Sequence, residues 1–136
     1  MRPSPISLIA TVVAISAATP ATAQKSVADF YKDRTVTMIV ASSAGGGYNA
    51  YGRTIAKHIV KHIPGNPTVI VKNMPGAGGR KATAYVAKVA PKDGTVILGT
   101  QPGALVEPVL GDPKKIKYDP ATFGYVGQCS RLHHGL

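Results

Sequence analysis

The sequence is poor in acids, aromatics and cysteine, and each shortage closes off a class of function. Against 16 Lys and Arg stand only 6 Asp and Glu, for a formal net charge of +10. The acids are Asp29, Asp33, Asp93, Glu107, Asp112 and Asp119. No spacing among them suggests the paired carboxylates of general acid–base work, and Asp93, followed by Gly94, is accounted for by a turn. The single cysteine, Cys129, excludes an intramolecular disulfide, so the core must hold unaided. There is no Trp. The cations Lys57, Lys61, Arg80, Lys81, Lys88, Lys92, Lys114, Lys115 and Lys117 are spread rather than blocked, and aromatics are not interleaved with them. Solvated helix faces and loops are expected there, not a nucleic-acid surface. The field of such a chain still favours the approach of small carboxylates.

What is present begins with a leader. Arg2 carries a positive charge, Ile6 to Ala18 is apolar or small, and Thr19 to Ala23 fits a small-x-small cleavage site. A secretory signal peptide over residues 1–23 is expected, with cleavage between Ala23 and Gln24. The apolar run is too short to span a bilayer comfortably. No repeat or low-complexity tract follows, and 44% hydrophobic residues indicate a globular chain.

Gln24 to Arg34 reads as a short helical lead-in, with Phe30 and Tyr31 packing on the first strand. Thr35 to Ala41 is short, β-branched and continuously apolar, as a buried parallel strand is. Gly45-Gly46-Gly47 turns the chain. Tyr48, Tyr51, Ile55, Ile59, Val60 and Ile63 then fall at three-four spacing, which predicts an amphipathic helix ended by Pro64-Gly65. Thr68 to Lys72 is a second strand. Asn73 to Gly79 is a second glycine loop, and Ala82, Tyr85, Val86 and Val89 repeat the helical spacing. Thr95 to Thr100 is a third strand. Alternating strands and helices with short links predict an α/β fold with a parallel βαβαβ sheet. Gly103 to Leu110 predicts one or two helical turns, Gly111 to Pro120 a basic loop, and Phe123 to Gly127 the start of a fourth strand. The tail Gln128 to Leu136 has neither strand alternation nor a full helical period. It reads as atypical, as a chain cut short or frameshifted would be.

In a parallel sheet both glycine loops open at the carboxyl edge of the strands. Glycines let backbone amides approach a ligand without Cβ interference, and at a helix start those amides are unpaired and at the positive dipole end. Ser42 and Ser43 add hydroxyls, and Tyr48 and Asn49 add side-chain donors. Gly76, Gly78 and Gly79 repeat the device, followed by Arg80. Such an edge suits a carboxylate. Tight helix–sheet packing explains glycine runs as well. Neither loop is a P-loop, since no Gly-Lys-Ser/Thr closes it, and no acid ends the second strand as a dinucleotide fingerprint requires. His58 and His62 are four apart, as helical zinc ligands are, but no Glu lies between them and no third ligand is evident. Cys129, His133 and His134 have the residue types of a nucleophile or metal site, but they sit in the atypical tail. No metal, cofactor or catalytic residue is assigned, and the chain is not expected to be an enzyme.

Four motifs in order, Val40 to Gly47, Pro64 to Pro67, Asn73 to Gly79 and Ala90 to Thr95, resemble the Bug family. These are the periplasmic substrate-binding (TctC-like) proteins of tripartite tricarboxylate transporters. The resemblance covers about Lys25 to Gly127. It implies the first lobe of a type II periplasmic binding protein, residues 24–127, with the second lobe absent and the atypical tail at 128–136. It further implies capture of a small organic carboxylate, unchanged, for delivery to integral membrane subunits, by a protein that is monomeric when complete. On the matching positions the implied substrate-binding residues are Ser43, Ala44, Gly46, Gly47, Tyr48, Asn49, Ala77, Gly78, Gly79 and Thr100. The family often has Asp where this chain has Asn49, which removes a charge that would favour an amine-bearing ligand. The alternatives from the residues are a non-binding remnant, a small enzyme binding a phosphorylated substrate, and a basic nucleic-acid binder.

Overall fold

A computed structural model describes residues 26–111, 116 and 118–128. The expected signal segment lies outside them, as do residues 129–136 of the tail. The chain runs α1 (Val27–Tyr31), β1 (Thr35–Val40), α2 (Gly47–Ile59), β2 (Thr68–Asn73), α3 (Arg80–Lys88), β3 (Val96–Gly99) and α4 (Pro102–Leu110). The fold is α/β, with one three-stranded parallel sheet in the order β2-β1-β3. No helix among the described residues is long and apolar enough to cross a membrane.

The central strand explains the rest. β1 pairs Thr35–Val40 with Thr68–Asn73 on one side and Thr37–Val40 with Val96–Gly99 on the other. With neighbours on both edges and helices on both faces, it needs no polar face, and Val36, Met38, Ile39, Val40 and Ala41 are at most 3% exposed. Alternation divides them between two cores. Met38 and Val40 pack with Ala56 of α2, flanked by Ile55, Val69, Val71 and Ile97. Ile39 and Ala41 pack with Ala82 of α3, flanked by Met74, Val86, Val96 and Leu98. The chain passes from β1 to β2 on one side, then crosses to β3 on the other. Such a reversal of direction makes a crevice outside the carboxyl ends of the strands.

The lead-in is a short helix, as its sequence suggests. α1 opens with a capping box, in which Ser26 Oγ accepts from the Asp29 N–H at 3.1 Å and Asp29 Oδ2 accepts from Ser26 N–H at 3.3 Å. Phe30 and Tyr31 stack edge to face at 4.9 Å, Arg34 lies 4.2 Å over the Phe30 ring, and Tyr31 donates its O–H to Gly94 O at 3.1 Å. Gly65 abuts the Ala28 carbonyl so closely that a Cβ would collide with it. α1 thus braces the turns that lead into β2 and β3. In the second of these turns, Thr95 donates to Asp93 Oδ1 through both its hydroxyl (2.6 Å) and its N–H (3.0 Å). Those bonds hold the Asp93 carboxyl below its ordinary pKa.

Three elements depart from the sequence reading at their ends. α2 stops at Ile59, and its expected last turn tightens into a 3-10 turn, Val60–His62, before Pro64-Gly65. α4 is nine residues long although Pro108 lies inside it. Proline has no N–H to give the carbonyl four residues back, that of Ala104. Tyr118 fills the gap, donating its O–H to Ala104 O at 2.6 Å. The fourth strand expected at Phe123–Gly127 is absent from the described residues. A 3-10 turn, Pro120–Thr122, capped by Asp119, precedes a segment outside any strand, in which Tyr125 and Val126 are 63% and 82% exposed. No described segment adds a ladder to the free edge of β3.

Two outcomes test this packing. A Cβ at Gly52 of α2 would strike Cγ2 of Val40, whereas one at Gly103 of α4 meets nothing within 4 Å. Gly52→Ala should therefore lower stability by about 1–2 kcal/mol net of its helix-propensity gain, and Gly103→Ala should leave it unchanged or raise it, measured by urea unfolding. In the second test, Tyr118→Phe should cost about 1–2 kcal/mol in the natural background. Its cost should shrink when Pro108→Ala returns an N–H to the helix, a non-additivity that a double-mutant cycle reads directly.

Candidate functional site

The site is built from the three loops that leave the strands at the carboxyl edge of the sheet. Sheet bonding runs one residue beyond the strands: Ala41 donates its N–H to Gly99 O and Met74 donates to Val40 O, each at 2.8 Å. The loops therefore start from a rigid line. α2, α3 and α4 begin at Gly47, Arg80 and Pro102, and their preceding residues Gly46, Gly79 and Gln101 supply no side-chain cap. Three helix starts with backbone donors unmet by a cap open on the same edge of the sheet.

The first loop is tied from behind. Asn73, at the end of β2, sits in register with Val40. Its side-chain amide has two hydrogens and uses both, donating to Ser42 O and to Asn49 Oδ1 at 3.0 Å each. Asn49 Oδ1 also accepts from Arg53 Nε at 3.2 Å. Asn49 is only 8% exposed. The residue expected to donate to a ligand thus has its oxygen facing inward, holding the first turn of α2 against the loop and β2. In front of it Ser43, Ala44, Gly46, Gly47 and Tyr48 are exposed.

The second loop reverses handedness. Gly76, Ala77, Gly78 and Gly79 have φ of 134°, 49°, 60° and 94°. Four successive positive values are accessible at low cost only to glycine, and Ala77 alone carries a Cβ there. Ala77 and Gly78 are exposed, while Gly79 is buried. A Cβ at Gly79 would meet Thr100 Oγ1 at 3.0 Å, Ala41 Cβ at 3.4 Å and Ala104 Cβ at 3.5 Å. At this point the second loop meets the ends of β1 and β3 and the start of α4.

Hydrogen-bond accounting there changes the part Thr100 can play. Thr83, fully buried on α3, donates its hydroxyl to Gly79 O at 3.0 Å. That uses its one proton, so the 3.0 Å contact between Thr83 Oγ1 and Thr100 Oγ1 must have Thr100 as donor. Thr100 is left with lone pairs, and can meet another group only as an acceptor. Arg80 is also engaged: Nε donates to Ala77 O at 3.1 Å and Nη1 lies 2.6 Å from Glu107 Oε1. A cation in the first turn of a helix opposes the dipole, and Glu107 of α4 offsets it.

The structure therefore brings the loop-end residues Ala77, Gly78, Gly79 and Thr100 to one junction. Ser43 to Tyr48 lie on the neighbouring open loop. Asn73, Thr83 and Glu107 are the supporting residues that sequence reasoning left unassigned. Asn73 opens the Asn73 to Gly79 motif, and its place at a strand end was the available signal. Thr83 and Glu107 have no local pattern that marks them. Among the described residues no three His, Cys, Asp or Glu gather as a metal site. Cys129, His133 and His134 lie outside the described residues. No protein-family model matches the chain, and no curated protein matches it.

Asn73→Ala removes both bonds that hold the first loop and leaves the Ser42 carbonyl without its partner. The variant should lose about 1–3 kcal/mol of stability. Amide hydrogen exchange should rise first in residues 42–49, ahead of the β1–β3 ladder.

Proposed function

We propose that the described domain is the first lobe of an exported solute receptor, of the type II periplasmic binding-protein class. It captures a small organic carboxylate at the glycine-loop edge and passes it unchanged to the membrane subunits of a tripartite tricarboxylate transporter. The reading rests on the four Bug-like motifs and on one observation about glycine. Gly45, Gly78 and Gly79 are accounted for by positive φ. Gly46 and Gly47 are not. Gly46 has φ of −77° and a Cβ there would come no nearer than 3.8 Å to Ser43 O, while one at Gly47 meets nothing within 4 Å. Neither backbone strain nor packing asks for glycine at these positions. Gly46 stands at the N-cap, where glycine is tolerated, but Gly47 lies inside the helix, where glycine costs about 0.5–1 kcal/mol relative to alanine. Close approach of another molecule to the amides of the α2 start gives the missing reason.

The donors gathered here are backbone amides rather than titrating side chains, which supports binding over catalysis. A carboxylate is the natural partner for such amides, through charge-assisted bonds. Thr100, with only lone pairs free, suits a ligand hydroxyl or a bridging water better than a second carboxylate.

The test is a thermal-unfolding panel on the full chain with succinate, citrate and benzoate, against chloride at equal ionic strength. At a ligand concentration 100 times Kd, binding contributes about 2.7 kcal/mol, a rise of roughly ten degrees or more for a domain of this size. Gly47→Ala should leave the unliganded midpoint unchanged or higher and remove most of the ligand-induced rise. If no acid in the panel moves the natural chain at millimolar concentration, the carboxylate-receptor reading fails.

A further inference from the structure

Away from the glycine loops, a groove of about 320 Å³ runs between α2 and β2. Its wall is the helical stripe Arg53, Ala56, Lys57 and Val60, and its floor is Val69 and Val71. The stripe follows the i, i+3, i+4, i+7 spacing of one helix face, about 10 Å long at 1.5 Å per residue. Val60, Val69 and Val71 are half-buried, and Ala56 is the small residue that keeps the middle of the groove open. β2 is bonded on its β1 side only among the described residues, so no strand covers the outer flank.

Among the described residues no carboxylate pairs with the charges at the mouth. Arg53 and Lys57 are one helical turn apart and exposed. Arg53 spends Nε on Asn49, leaving its two terminal nitrogens for the groove side. Among the described residues the ion pairs are Arg34–Asp93 and Arg80–Glu107, and neither involves these two cations. An apolar floor beneath two cations without an ion-pair partner among the described residues is complementary to a molecule with one apolar tail and one anionic head. The groove is shallow and open to solvent along its length, which favours a single tail over a paired-tail lipid.

We propose that this groove is a second binding site, for a single-tailed amphiphilic carboxylate of medium chain length. Its head meets Arg53 and Lys57, and its tail lies along Val60, Val69 and Val71. The site lies on the α2–β2 flank and touches the glycine-loop edge only through the bond from Arg53 to Asn49.

The experiment is a backbone-amide NMR titration of the full chain with octanoate, and in parallel with hexanoate, acetate and octanol. Octanoate should shift amides within residues 53–60 and 69–71 in a saturable way. Each methylene between hexanoate and octanoate should strengthen binding about two- to fourfold. Acetate lacks the tail and octanol the charge, and both should bind at least about tenfold more weakly. Lys57→Glu, at an exposed position, should keep the thermal midpoint and weaken octanoate about three- to tenfold. The proposal is overturned if octanoate shifts only residues 43–49 and 76–79, if octanol equals octanoate, or if Lys57→Glu leaves the affinity unchanged. It is equally overturned if anionic phospholipid vesicles perturb these amides while free octanoate does not.

Discussion

Everything in this fold depends on β1 being enclosed on four sides. Two strands satisfy its backbone and two helices cover its side chains. With Val36, Met38, Ile39, Val40 and Ala41 at most 3% exposed, it supplies five of the nine buried hydrophobic residues of the described core. It also sets the position of the loops, because α2 and α3 can cover opposite faces only if the chain crosses from one side of β1 to the other. The carboxyl ends of all three strands then come to one edge, and with them the three helix starts. The glycine loops are neighbours because of the core beneath them.

A second constraint acts one layer out, where single polar side chains take over bonds that the backbone cannot make. Asn73 spends both amide hydrogens across the first loop, Thr83 closes the Gly79 carbonyl, and Tyr118 supplies the hydrogen that Pro108 lacks. Each is an isolated solution to a local deficit. Together they fix which groups at the edge remain free to meet another molecule. Backbone amides at the helix starts and the lone pairs of Thr100 remain. The Asn49 oxygen and the Arg80 guanidinium are already committed.

Much of this was legible in the sequence, for reasons visible in particular elements. Continuous β-branched runs marked β1 and β2, because a strand in a parallel sheet needs no polar face. Three-four spacing marked α2 and α3, and glycine placed both loops. The boundaries were less legible. The one or two turns expected over Gly103 to Leu110 run to nine residues through Pro108, and the sequence does not show that a tyrosine ten residues on replaces the bond the proline lacks. Phe123 to Gly127 has strand-like residues, but a strand exists only by pairing, and pairing is not written in a local pattern. The inward turn of Asn49 was hidden for the same reason: its partner Asn73 is 24 residues away. Side-chain chemistry was readable from residue type, whereas its direction depended on contacts between distant segments.

The tie between Tyr118 and Ala104 has a consequence on the alkaline side. Only the protonated phenol can donate to a carbonyl, and burial, with the Glu107 charge nearby, raises the Tyr118 pKa above its ordinary value of 10.0. A group whose folded-state pKa is raised stabilises the fold fully below its unfolded value and loses that contribution as pH rises through the folded one. α4 is therefore held by a fastening that is indifferent to acid and opened by base. Because α4 borders the Gly79 junction, strong alkali is the condition under which that edge loses one of its fastenings.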